Sequence, residues 1–119
     1  WSSDVCSSDL SYFIMKYTVF QINLSDAEYS VPSTRDLYLN TIMNPTDVAI
    51  MKARSFYKPV ADINANSVDE VFQIGNVGPN NKISRKAPMH SISVGDVIVS
   101  ETGVTRFVAP IGFGVLMGF

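Results

Sequence analysis

His90 is the one histidine in the chain, and the residues around it could do chemistry. Lys82, Arg85 and Lys86 lie within five positions of one another, and Ser91 and Ser93 follow directly after His90. An imidazole beside a hydroxyl is the start of a nucleophile–base pair. Neighbours on a strand point to opposite faces, however, and no G-x-S-x-G elbow occurs. The basic residues concentrate positive charge next to the amides of Asn76, Asn80 and Asn81, which suits an anion such as a nucleotide or phosphate. Gly75-Asn76-Val77-Gly78 is glycine-rich, but a phosphate cradle needs its glycines before a helix, where free amides face the anion. Here they come after one, so the spacing predicts a helix C-cap. Asp62, Asp69, Glu70 and Asp96 are scattered and have one histidine among them, so no metal-ligand spacing arises. No cofactor motif is present.

A length of 119 residues suits one domain. At 46% hydrophobic and 17% charged, the chain is too apolar to be disordered. No apolar run is long enough for a membrane span. A single cysteine, Cys6, excludes an intramolecular disulfide. Trp1 to Leu10, WSSDVCSSDL, resembles the translated read-through of a short-read sequencing adapter, and its period suits neither helix nor strand. Residues 1–14 are therefore expected to be a non-native leader, with native sequence from Met15 and a single α+β domain over 15–119. The leader holds the only tryptophan, the only cysteine, Asp4 and Asp9, which leaves nine acidic and nine basic residues in the remainder. A neutral protein has no general attraction to DNA or to an anionic membrane. No helix presents basic residues with base-reading side chains on one face, so sequence-specific DNA binding is not expected.

Lys16 to Leu24 alternates as a strand buried mainly on one side. Ser25 to Ser30 reads as a turn. A helix opens at Ser33 or Thr34 and ends at Asn44-Pro45, and Thr46-Asp47 caps another. Lys58 to Ala65 is a strand. Ser67-Val68-Asp69-Glu70 is a capping box, followed by Val71 and Phe72 on the apolar face of a short helix that Gly75-Asn76 and Gly78-Pro79 end. Asn80 to Pro88 reads as a polar, basic loop. From Met89 onward the pattern is β, with turns at Val94-Gly95-Asp96 and Glu101-Thr102-Gly103, a break at Pro110, and a last edge strand at Phe113 to Val115. These elements predict an α+β fold: a small antiparallel sheet or partly rolled barrel with two to three short helices on one face.

The stretch from Ala61 to Asn76, the stretch from Met89 to Val99 and the pair Gly112-Phe113 together resemble small uncharacterised phage and plasmid proteins of YodL-like type. The resemblance covers roughly residues 15–116. It implies a mobile-element accessory protein in the cytoplasm of a bacterial host, and it brings no catalytic residues with it.

The leading functional expectation is a non-enzymatic module that binds a host protein. The alternative is a small anionic-ligand protein, such as a nucleotide binder, using Asn76, Lys82, Arg85, Lys86, His90, Ser91 and Ser93. A third reading is a hydrolase with His90 as its base. No oligomeric state follows from the sequence.

Overall fold

The structure, a computed structural model, describes residues 15–78, 80–117 and 119; the leader and the expectation at Pro79 lie outside them. Six strands form one open sheet: β1 (Met15–Ile22), β2 (Tyr57–Ala65), β3 (Ile83–Arg85), β4 (Val97–Ser100), β5 (Thr105–Val108) and β6 (Phe113–Val115). Their order is β3-β2-β1-β4-β5-β6, and every neighbouring pair is antiparallel. Four helices complete an α+β fold: α1 (Asp26–Tyr29), α2 (Pro32–Met43), α3 (Asp47–Lys52) and α4 (Val68–Val77). None of the described helices is long and apolar enough to cross a membrane.

The sheet carries a core on each face. Tyr17, Val19, Ile63 and Ile98 point one way and pack with Val71 and Ile74 of α4. Ile22, Tyr57, Val97 and Phe107 point the other way and pack with Ile50 of α3, Ala53 and Leu116. The helices therefore divide between the two faces. This also changes the reading of β1. It lies at the centre of the sheet, and Tyr17, Val19, Gln21 and Ile22 are all buried, so both of its faces are covered. The register with β2 shifts between Val19 and Phe20, where Val60 of β2 stands without an opposite residue on β1.

The capping box at Ser67 forms as the spacing requires, with the Ser67 hydroxyl accepting from the Glu70 amide at 3.2 Å. The end of α4 differs from expectation. Gly75 is helical, and the left-handed stop is Gly78, with φ +100°. Gly75 has another role: a Cβ there would lie 2.3 Å from Cδ1 of Ile92, which is buried against the helix. Only a glycine lets the segment before β4 pass this close.

Two segments are more ordered than their sequences suggest. Ser25-Asp26-Ala27-Glu28, expected as a turn, closes a full capping box and starts α1. Ile83–Arg85, expected as loop, forms β3 and pairs with Ala61–Ile63. The segment has one apolar residue to signal a strand. Its pairing comes from the unfilled edge of β2, whose backbone groups need partners.

Candidate functional site

The basic segment is held on β3 and just beyond it. Lys86 donates its amide to the Val60 carbonyl, and its ammonium sits 3.1 Å from Asp62 Oδ2. Asp62 also accepts from the Thr18 hydroxyl at 2.9 Å. Burial works against charge on Asp62, but the Thr18 and Lys86 hydrogen bonds outweigh it and hold the carboxyl below its usual range. Lys82 lines a groove of about 590 Å³ with Lys16, Asp62, Asn64, Glu70 and Asn81. The groove carries two ammonium groups and two carboxylates, so it presents no net positive field. Arg85 is exposed on β3, and Asn76 is exposed near the end of α4.

His90, Ser91 and Ser93 are exposed and lie elsewhere. His90 and Ser93 border a cavity of about 20 Å³ with Tyr38, Gly95 and Asp96, which has room for about one water molecule. The His90 ring makes a 2.7 Å contact from Nδ1 to the Ser91 carbonyl. Lys82 and His90 thus line separate cavities, and the structure does not bring the seven candidate residues into one site.

What His90 and Ser93 do share is a buried polar node that sequence reasoning missed. Gln21, 1% exposed, donates through Nε2 to the His90 carbonyl and to Asp96 Oδ2, both at 2.9 Å. Its Oε1 accepts from the His90 amide at 3.2 Å. Asp96 Oδ2 also accepts from the Ser93 amide at 3.0 Å. The Tyr57 hydroxyl donates to the Gly95 carbonyl. Gly95 has φ +93°, and a Cβ there would lie 3.1 Å from the Thr41 carbonyl of α2. The Gly95 amide donates to the Val108 carbonyl at 2.9 Å, so the node ties the segment before β4 to β1, β2 and β5, with α2 close against Gly95. A glutamine inside an alternating strand was the available signal, since a buried amide must find partners.

Burial pushes the Asp96 carboxyl up to about 6, against the lowering effect of the Ser93 and Gln21 hydrogen bonds and of His90. Burial, and then the Asp96 charge, raises Tyr57 as well. The pH dependence follows. An acid whose folded pKa is raised holds its proton in the native state at pH values where the unfolded chain has lost it. Stability is then greatest below the unfolded value and falls as pH rises through about 6. For this group the loss between about pH 4 and pH 7 is about 2 to 3 kcal/mol. Asp96→Asn keeps an acceptor for Gln21 and Ser93, so thermal melts across this range should lose the dependence. An unchanged slope in the variant would assign it to another group.

On the face covered by α4 lies a cleft of about 380 Å³, between the start of that helix and the β4–β5 hairpin. Tyr17, Asn66, Ser67, Asp69 and Arg106 supply its polar lining, and Met15, Val68, Val104 and Phe113 its apolar walls. Among the described residues, no three His, Cys, Asp or Glu side chains gather to hold a metal ion.

The two edges of the sheet differ. β3 carries Ser84 and Arg85 and is flanked by Lys82 and Lys86. β6 reads Phe-Gly-Val and has no charge, and exposed apolar residues surround it: Ile111 is 94% exposed, Met117 81% and Val115 57%. No family model, no curated protein and no solved structure matches this chain.

Proposed function

We propose that this chain is a non-enzymatic accessory module, of the phage or plasmid type that its sequence resembles, acting in the cytoplasm of a bacterial host. It binds a host protein by accepting an extended segment along β6. The observation that carries this reading is the asymmetry of the two sheet edges. Charges on an edge strand discourage pairing with other chains, and β3 has them. β6 has none, and its apolar neighbours Ile111, Val115 and Met117 are exposed. An added strand would gain main-chain hydrogen bonds from β6 and side-chain contacts from those residues.

The test places a photo-crosslinking residue at Met117 and, as control, at Ser84 on the opposite edge. In host cells, position 117 should yield a discrete adduct and position 84 none. The partner so identified should slow hydrogen exchange at the β6 amides, and Val115→Lys should abolish capture without lowering the melting temperature. Adducts of equal yield at both positions, or a partner that leaves β6 exchange unchanged, would reject strand addition.

A further inference from the structure

We infer that the cleft between α4 and the β4–β5 hairpin is a binding site for a small monocarboxylic acid with an apolar body, held by Arg106 and Tyr17. This site contains none of the seven residues that the sequence singled out, and it shares Phe113 with β6.

Two polar groups in the cleft lack partners. Tyr17 is 4% exposed and lines the cleft, and its hydroxyl makes no hydrogen bond among the described residues. No fully buried side-chain nitrogen or oxygen among those residues goes without a partner. The Tyr17 hydroxyl must therefore reach open space, and the cleft is the space Tyr17 lines. Arg106, half-buried on β5, likewise makes no ion pair or hydrogen bond through its guanidinium among the described residues. The other polar groups are largely committed. Ser67 caps α4, Ser100 and Thr102 share a 2.8 Å hydrogen bond, and Asn66 contacts Glu70. The cleft thus has two unclaimed donors at its base. At its rim are the first amides of α4, Val68 and Asp69, which by position have no intrahelical acceptor.

Unclaimed donors call for an acceptor, and a guanidinium fork matches a planar carboxylate. Asp69 also lines the cleft, and burial, followed by the charge of nearby Glu70, raises the Tyr17 phenol. Two acidic groups disfavour a doubly charged phosphate more than a singly charged carboxylate. Met15, Val68, Val104 and Phe113 provide apolar surface for the rest of the ligand. A volume of about 380 Å³ is near the small end of ligand sites and suits a short-chain or single-ring acid.

The test titrates the full chain, labelled with nitrogen-15, with 3-phenylpropionate and with hexanoate. 3-Phenylpropanol and phenyl phosphate serve as controls. Both acids should produce saturable shifts at Asn66–Asp69 and Ser100–Arg106. The alcohol should produce no saturable shifts, and the phosphate should bind more weakly than the acids. Arg106→Gln should weaken binding about tenfold or more, and Tyr17→Phe several-fold. Arg106→Lys keeps the charge and the stem but loses the fork, so it should also bind more weakly than the native chain. It replaces the glutamine variant if that one does not fold. The proposal is overturned if neither acid shifts these amides at about 10 mM, a very weak affinity. It is overturned equally if the alcohol binds as well as the acids, if the phosphate binds better than they do, or if the folded Arg106 variants bind like the native chain.

Discussion

Gln21→Leu should destabilise the protein by about 3 kcal/mol, although leucine is close to glutamine in size and better suited to a core. The side chain is 1% exposed and makes three hydrogen bonds: two to the main chain of His90 and one to Asp96. Leucine would keep the volume and abandon all three partners. A buried polar group left without a partner costs about 1 to 3 kcal/mol, and more when it is charged. The His90 groups are nearer water and contribute the smaller share. Asp96, 5% exposed, contributes the larger. The deficit should shrink as pH falls through about 6, where Asp96 takes up a proton in the folded state. Urea unfolding at neutral and acid pH measures both effects. Hydrogen exchange should show residues 89–96 opening first. A loss under about 1 kcal/mol at neutral pH would mean that Ile92 packing alone holds this segment.

Gly114→Val should cost about 2 kcal/mol or more, against what strand propensity suggests. Replacing a glycine inside a strand with a β-branched residue ordinarily gains about 0.5 to 1 kcal/mol. Here Gly114 pairs with Phe107, and a Cβ at position 114 would lie 2.2 Å from the far end of that ring. The ring is 8% exposed and packed among Val97, Leu116 and their neighbours. It cannot turn aside without disturbing that core, and overpacking of this kind costs about 1 to 3 kcal/mol in addition to lost contacts. Thermal unfolding checks the sign. A variant as stable as the native chain would show that the ring can move, and a more stable one would show that propensity dominates. Phe107 thus holds β6 in place from beneath, and among the described residues no strand pairs with the outer side of β6, which is the arrangement that strand addition needs.

Local chemistry decided the elements whose signals are short-range. The Ser67–Glu70 box, the turns at Gly95 and Gly103 and the break at Pro110 all act within a few residues, and each formed where the pattern places it. The α+β class followed from their order. Other features depend on partners far away in the chain. β3 exists because β2 has an edge to fill. Gly75 is present because Ile92, seventeen positions later, lies against the helix. β1 is covered on both faces because α3 and α4 come from opposite sides, and no periodicity within β1 specifies that.

The same division applies to sites. Proximity along the chain grouped Lys82, Arg85, Lys86 and His90, but an antiparallel sheet separates residues that sequence keeps adjacent. It unites Tyr17 with Arg106 and Gln21 with Asp96, across more than seventy positions in each case. The Thr46 and Ser67 caps and the turns at Gly95 and Gly103 were legible in the chain, because each depends on hydrogen bonds and φ angles within a few residues, whereas α1 and the Val31 N-cap of α2 were not. Which polar groups lack partners and which sheet edge lacks a neighbour, among the described residues, follows from the tertiary structure, because both depend on what the other segments have already occupied.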